Sequence, residues 1–146
     1  MGKTALDPFV KTRPGLVNAR TGMLIASAVE VADTRARRRR GLLGRDRLDP
    51  CTAFVLTPCF MIHTLSMRFP IDALFLDHDG VVVRMVMNLE PGHVALARRA
   101  ESVVEFAAGV SAAREVAVGD RLYFEERFSA ESGVIQTDPP SSAVGV

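Results

Sequence analysis

The fold of this chain is predicted most directly by the stretch from Ile71 to Met87, which reads IDALFLDHDGVVVRMVM. Two apolar runs of strand length, Ile71 to Leu76 and Val81 to Met87, stand on either side of a polar segment. That segment, Asp77 to Gly80, contains an Asp-Gly pair, which is a strong signal for a tight turn between paired strands. The stretch therefore predicts an antiparallel β-hairpin.

Further short strands and two short helices are predicted on both sides of the hairpin. Thr34 is a good N-cap for a helix over Arg35–Arg40, which Gly41 would end in a left-handed conformation. A second short helix is predicted over Gly109–Val116. The remaining predicted strands are Met23–Val31, Ala53–Leu56, Phe60–His63, Ser102–Phe106 and Arg121–Glu125.

This order of elements indicates the fold class. Regular alternation of strands with long helices is missing, which argues against a parallel doubly wound sheet. Many short strands with close turns predict a mainly β fold, either a small antiparallel β-sandwich or an open barrel with one or two short helices.

The length of 146 residues is that of one ordinary domain. Residues 1–22 contain two prolines and scattered charge, and are predicted to form a loose N-terminal arm. Residues 23–127 are predicted to form the single β-rich domain. Residues 128–146 are rich in Ser, Gly and Pro, and are predicted to form a flexible tail.

The charge of the chain is unevenly distributed, although its net value is only +1. Residues 1–47 carry 11 basic and 4 acidic side chains, whereas residues 48–146 carry 7 and 13. No apolar run approaches the roughly 20 residues that a membrane-spanning helix needs. The first residues also lack the apolar core of a secretory signal. We therefore expect a cytoplasmic location and no membrane partner.

The first candidate site is the segment from His63 to Asp72, which reads HTLSMRFPID. A histidine titrates near neutral pH, and an aspartate that orients it is a common arrangement for acid–base catalysis. If the chain doubles back at Phe69-Pro70, His63 and Asp72 could meet as a catalytic pair, assisted by the hydroxyl of Thr64 or Ser66. The competing interpretation is that both side chains only satisfy backbone groups at a turn.

The second candidate is the basic stretch Arg35–Arg47, which holds seven arginines and one aspartate. Such a stretch could bind nucleic-acid phosphates, but it lacks the interleaved aromatic residues that single-strand binders use for stacking. Two other interpretations stay open: a solvated helix face, or arginines that point inward and serve the site.

Other kinds of site have weak support in the sequence. The three histidines His63, His78 and His93 form no recognised ligand spacing, so neither a metal nor another cofactor is expected. There is no G-x-S-x-G nucleophile elbow.

Several short motifs recur here in a familiar order: Val29-Glu30-Val31-Ala32, Arg38-x-x-Gly41-Leu42-Leu43-x-Arg45, Ile62-His63-Thr64-x-x-Met67, Pro70-Ile71-Asp72, Phe75-x-Asp77, Asp79-Gly80-x-Val82, Glu105-x-x-x-Gly109 and Gly119-Asp120. Together they make the chain resemble the bacterial and archaeal family known as domain of unknown function 192, over about Leu24 to Phe124. The resemblance implies a mainly β sandwich or barrel-like domain and supplies no activity.

The resemblance adds arginines to the first candidate site. It indicates a pocket for a small anionic ligand, formed by the Arg38–Arg45 segment and the His63–Asp72 loop. The expected ligand-binding residues are Arg38, Arg45, His63, Thr64, Met67 and Asp72. Two alternatives stay open: an enzyme that uses His63 and Asp72, and an interaction module for protein or nucleic acid that uses Arg35–Arg47. The sequence gives no oligomeric state.

Overall fold

The computed structural model describes the backbone of residues 12–128 and the side chains of residues 14–126. Within that part of the chain, ten strands and two short helices follow one another. Their bounds are β1 (Thr12–Asn18), β2 (Leu24–Ala26), β3 (Ala28–Ala32), α1 (Arg35–Arg40), β4 (Thr52–Leu56), β5 (Met61–His63), β6 (Ile71–Leu76), β7 (Val82–Leu89), β8 (Val94–Leu96), β9 (Ser102–Ala107), α2 (Val110–Ala113) and β10 (Leu122–Phe128).

The strands form three sheets, and the predicted mainly β, sandwich-like class is confirmed. The central sheet has five strands in the order β3-β4-β9-β6-β7, and a second sheet has the order β10-β1-β2. Strands β5 and β8 form a separate two-stranded ribbon. All pairs are antiparallel except β3 and β4, which are parallel and are connected through α1. The sheets do not close into a barrel.

The inner strands of the central sheet, β4, β9 and β6, are buried on both faces, which explains why β6 lacks any polar–apolar alternation of burial. On one face, which we call the ribbon face, Phe54 and Phe75 share a core with Ile62 of the ribbon. On the other, which we call the sandwich face, Val104 and Phe106 share a core with side chains of β1, β2 and α2. Because side chains alternate along a strand, neighbouring residues of β6 and β9 belong to different cores.

The local predictions for the hairpin and for the first helix are confirmed. In the turn, Asp77 Oδ1 accepts hydrogen bonds from the backbone N–H groups of Asp79 and Val81, and β6 pairs with β7 beyond it. Helix α1 begins after Thr34, whose Oγ1 accepts a hydrogen bond from the Arg37 N–H at 3.2 Å. It ends at Gly41, whose φ of +46° favours glycine.

The predicted single strand over Met23–Val31 is wrong, because the chain bends at Ser27 and divides into β2 and β3, which belong to different sheets. The second predicted helix is shorter than expected and covers only Val110–Ala113. Strand β8 lies in a stretch for which the sequence favours no element. The errors at β2, β3 and β8 share a cause, since short strands gain their definition from sheet partners and not from local pattern.

The predicted N-terminal arm over 1–22 is wrong from Thr12 onwards, since β1 lies between β10 and β2. Pro14 argued against a strand in the sequence. In the structure, β1 is paired only with β10 at Pro14, and a missing N–H is tolerated at such an edge position. Residues 1–11 of the arm, and residues 129–146 of the predicted flexible tail, lie outside the described residues.

Asp72 connects three elements on the sandwich face. Its side chain is fully buried. Oδ1 accepts a hydrogen bond from the Asn88 N–H of β7 at 2.9 Å. Oδ2 accepts hydrogen bonds from the N–H groups of Gly109 and Ser111, at 3.1 and 3.0 Å, where α2 begins. A single carboxylate therefore satisfies backbone donors of β7 and of α2 from its position on β6.

We expect Asp72→Ala to lower the free energy of unfolding by about 3 kcal/mol or more, because it leaves three backbone donors without their partner. Urea denaturation monitored by circular dichroism measures this change. Ser111→Ala is the matched control: it keeps the N–H that binds Asp72 and removes a buried hydroxyl that has no partner within the described residues. A change of less than about 1 kcal/mol is expected for that control. Equal losses in both variants would contradict the role of Asp72.

Candidate functional site

A cleft of about 330 Å³ lies on the ribbon face, between α1 and strand β5. We call it the arginine cleft, because four arginines of α1 line it: Arg35, Arg38, Arg39 and Arg40. Its apolar lining includes Leu42, Leu43, Leu56, Met61, Ile62 and Met67. Cys59, His63 and Glu105 contribute the other polar groups. A cavity with mostly apolar walls and a few polar groups is typical of small-ligand sites.

Arg38 is the best-anchored arginine of the cleft. Its Nη1 donates hydrogen bonds to the backbone carbonyls of Asp33, at 2.9 Å, and Thr57, at 3.1 Å. These residues directly follow β3 and β4, so the guanidinium bridges the ends of the two parallel strands. Its Nε and Nη2 have no hydrogen-bond partner within residues 14–126. Arg38 is half-buried, whereas the other arginines of α1 are exposed.

Glu105 lies in the middle of the central sheet, between Phe54 of β4 and Ala73 of β6. It is 4% exposed and lines the arginine cleft. Within the described residues its carboxyl group makes no hydrogen bond. Burial raises the pKa of Glu105 to about 8, so at neutral pH the carboxyl group is largely protonated.

Sequence reasoning did not select Glu105 as a site residue. In the run SVVEF it looks like the polar position of an alternating strand with one solvated face. The signal that could have identified Glu105 lies in the other strands of the sequence. Several of them are continuously apolar, which indicates a central sheet with both faces buried, and an acidic residue in such a sheet has no solvent to face.

Cys59 lines the same cleft and is half-buried. Its thiol donates a hydrogen bond to the Met61 carbonyl, with an Sγ–O distance of 3.2 Å. Burial raises the pKa of the Cys59 thiol, and the nearby Glu105 adds to this rise. A protonated thiol that is already engaged with the backbone is a poor nucleophile. Cys59 therefore forms part of the wall of the cleft as a protonated thiol at neutral pH.

Three of the six predicted ligand-binding residues lie together in the cleft: Arg38, His63 and Met67. His63 is exposed on the outer side of β5, and Met67 is buried. The other three, Arg45, Thr64 and Asp72, do not line it.

Thr64 is fully buried and stabilises the base of the β5–β8 ribbon. Its hydroxyl donates to the Glu90 carbonyl at 2.6 Å and accepts from the His93 N–H at 3.0 Å. Thr64 of the motif around His63 therefore has a structural role, because it connects the end of β5 to the segment that precedes β8.

Arg45 lies in a neighbouring concavity beside Glu30 and Phe54. Its Nη2 forms an ion pair with Glu30 Oε2 at 2.7 Å, and its guanidinium stands 5.4 Å from the centre of the Phe54 ring. These contacts occupy Arg45 outside the arginine cleft.

His63 and Asp72 do not form the predicted catalytic pair. Asp72 is directed to the sandwich face, where backbone N–H groups occupy both of its oxygens. His63 belongs to the ribbon, which covers the opposite face of the central sheet. The sequence hypothesis required a reversal of the chain at Phe69-Pro70 that brings both residues to one side of the sheet. Side chains alternate between the two faces along β6, and this alternation directs Asp72 to the face opposite the ribbon.

Among the described residues, one cluster of side chains has the spacing to hold a metal ion, and it lies at the tip of the β6–β7 hairpin. There, Asp77, His78 and Asp79 place one ligand atom each within 4.8 Å of one another. Asp77 Oδ1 already accepts two backbone hydrogen bonds, and the other two side chains are exposed. This tip is separate from the arginine cleft.

None of the helices in the described part of the chain has the length and apolar character needed to cross a membrane.

A small β-sandwich domain with a basic cleft is the class of protein that this fold and site define. The sequence pattern of the DUF192 family, described as Uncharacterized ACR, matches residues 16–124. The chain belongs to this family. No curated protein sequence is similar enough to count as a match.

Two crystal structures share the fold. A Sinorhizobium meliloti 1021 protein, named provisionally as a transcription regulator, is 26% identical with a TM-score of 0.68; the match covers 77% of this chain and 92% of that one. A protein of unknown function from Novosphingobium aromaticivorans DSM 12444 is 22% identical, also with a TM-score of 0.68, and the match covers 82% and 91%. The second likeness concerns the fold alone.

The raised pKa of Glu105 predicts a pH-dependent stability. In the unfolded chain Glu105 loses its proton near pH 4.5, whereas in the folded protein it keeps the proton up to about pH 8. The free energy of unfolding therefore falls as pH rises through this window, by roughly 1 kcal/mol per pH unit from this group.

As pH rises through this window, we expect the wild type to lose stability while Glu105→Gln does not. The free energy of unfolding of the variant should therefore increase relative to that of the wild type. Urea denaturation at several pH values between about 5 and 8 measures it. Glu125→Gln, at an exposed position on β10, controls for the chemical change. Parallel stability curves for wild type and Glu105→Gln would contradict the assignment.

Proposed function

We propose that this protein binds a small ligand with an anionic group in the arginine cleft. The observation that carries the proposal is the state of Arg38. Its Nη1 is fixed by the two backbone carbonyls, while Nε and Nη2 have no partner within the described residues. A guanidinium that is held in place before binding loses little conformational entropy when it pairs with a carboxylate or phosphate.

The surroundings of Arg38 support an anionic ligand of small size. Arg35, Arg39 and Arg40 add positive charge around the same cleft. Of these, none has an ion-pair partner within the described residues. The volume of about 330 Å³ is at the lower end of the range for small-molecule sites, roughly 300 to 1,000 Å³.

The positions of His63 and Asp72 argue against the enzyme alternative. An acid–base mechanism needs two groups that reach one substrate, and these lie on opposite faces of the central sheet. Binding without chemistry is therefore the function that we propose for the cleft.

We expect Arg38→Ala to weaken the binding of inorganic phosphate or hexanoate by roughly ten- to a hundredfold, which corresponds to the loss of one or two charge-assisted hydrogen bonds. Titration of ¹⁵N-labelled protein, followed by amide chemical shifts, measures the affinity and also shows that the variant is folded. Arg121→Ala removes an equal charge at an exposed position on the chain segment before β10 and is the matched control.

Arg45→Ala belongs in the same experiment, because the ion pair with Glu30 predicts that it changes the affinity less than twofold. Shifts that fail to cluster around the arginine cleft, or equal affinity in the Arg38 and Arg121 variants, would contradict the proposal.

A second candidate function is the binding of a polyanion such as a nucleic acid. The observation in its favour is that α1 buries none of its residues and carries five arginines, most of which form no ion pair within the described residues. Within the described residues, only Arg37 of this helix forms an ion pair, with Asp33 at 3.4 Å. The provisional name of the 26%-identical relative agrees with this candidate.

Substitution of Arg37, Arg39 and Arg40 by Ala together tests the second candidate. If α1 binds polyanions, the affinity for a fluorescent duplex oligonucleotide falls, and the slope of log affinity against log salt concentration becomes shallower by up to about 3. Anisotropy titrations at several salt concentrations measure both quantities. Unchanged binding in the triple variant would exclude Arg37, Arg39 and Arg40 from this role.

A further inference from the structure

Glu105 is the feature of the cleft that anion binding leaves unexplained. A carboxyl group repels the ligand that the arginines attract if it is ionised, and it contributes little if it is neutral. It is nevertheless 4% exposed, lines the cleft and has no hydrogen-bond partner within the described residues. Buried polar groups are nearly always partnered, and a carboxyl group without a protein partner that borders a cavity takes its partner from that cavity, either water or a ligand.

The groups around Glu105 do not supply this partner. Its neighbours across the sheet, Phe54 and Ala73, are apolar. The other titratable and charged groups that line the cleft are four of the five arginines of α1, Cys59 before β5 and His63 on β5. Arg38 directs Nη1 to backbone carbonyls, and the Cys59 thiol donates to Met61. None of these groups is hydrogen-bonded to Glu105.

We propose that the cleft binds a bipolar ligand, whose anionic end pairs with the Arg38 guanidinium and whose ammonium end pairs with the Glu105 carboxylate. This inference rests on the proposed function and specifies its ligand class. The apolar walls of the cleft, among them Leu42, Leu56 and Met67, suit a hydrocarbon spacer. Linear ω-amino carboxylates are the simplest members of this class.

An ammonium group fits Glu105 better than a neutral acceptor does. Both oxygens of the carboxyl group lack a partner within the described residues. A ligand carbonyl could satisfy only the oxygen that carries the proton, whereas the three N–H donors of an ammonium group can satisfy both oxygens. The resulting ion pair would form at a carboxylate that is 4% exposed, where an unpaired charge is costly and a paired one is favoured.

Binding of the ammonium end must displace a proton from Glu105 at neutral pH. Burial raises the pKa of Glu105 to about 8 in the free protein, and a cation beside the carboxylate lowers it again. One proton is therefore released to solvent as the ligand binds below about pH 8. The affinity for a bipolar ligand should rise with pH up to that point, whereas the affinity for a simple carboxylate should not.

The test compares ω-aminobutyrate, ω-aminopentanoate and ω-aminohexanoate with butyrate, pentanoate and hexanoate on the full chain. Isothermal titration calorimetry at pH 6, 7 and 8 gives the affinities, and titration in two buffers of different ionisation enthalpy gives the number of protons released. We expect at least one amino carboxylate to bind tenfold or more tightly than its unsubstituted partner. In Glu105→Gln, which preserves shape and cannot ionise, this preference should disappear together with the proton release.

The outcomes separate this inference from the proposed function. If carboxylates and amino carboxylates bind equally, or if Glu105→Gln retains the preference, the bipolar ligand class is wrong while anion binding stands. If neither series binds and phosphate does not bind either, both proposals fail. Loss of all binding in Glu105→Gln with amide chemical shifts that report a folded protein would also contradict the inference, because the carboxylates should still bind.

Discussion

The burial of the inner strands of the central sheet on both faces is the constraint on which the rest of this structure depends. It leaves no solvated side for a polar residue of β6 or β9. Asp72 and Glu105 lie on these two adjacent strands and face opposite cores. Asp72 meets three backbone N–H groups and so stabilises the junction of β6, β7 and α2. Glu105 meets none, and burial raises its pKa instead. Two carboxyl groups in equivalent positions thus differ in role because hydrogen-bond donors surround only one of them.

The arginine cleft is a consequence of the one parallel pair in the sheet. Strands β3 and β4 run in the same direction, so α1 must cross over between them, and the helix lies near the ends of both strands. The backbone carbonyls that follow the strands then accept hydrogen bonds from Arg38. Ligand sites at the carboxyl ends of parallel strands are common in open sheets. Here the same arrangement is produced by a single crossover in an otherwise antiparallel domain.

The fold could be predicted from the sequence wherever a local interaction defines an element. The turn after Leu76 and the N-cap at Thr34 are such cases, because the groups that fix them lie within a few residues. The strand β1 could not be predicted, since its partners β2 and β10 are defined only in the assembled sheet. In the site, Arg38, His63 and Met67 were selected from motifs and do line the cleft. Arg45, Thr64 and Asp72 were selected by the same criterion, but their contacts are structural.

The sequence by itself determined the mainly β class, the hairpin after Pro70, the basic helix and the family to which the chain belongs. The first three follow from short-range pattern, either the period of apolar residues or the chemistry of a turn or cap, and the family follows from the order and spacing of the motifs that the chain shares with it. Only the tertiary structure decided which polar residues share a cleft. The face to which a strand residue points depends on register and on what covers the sheet, and both are set by contacts between segments far apart in the chain. For that reason Asp72 became part of the scaffold and Glu105 became part of the site.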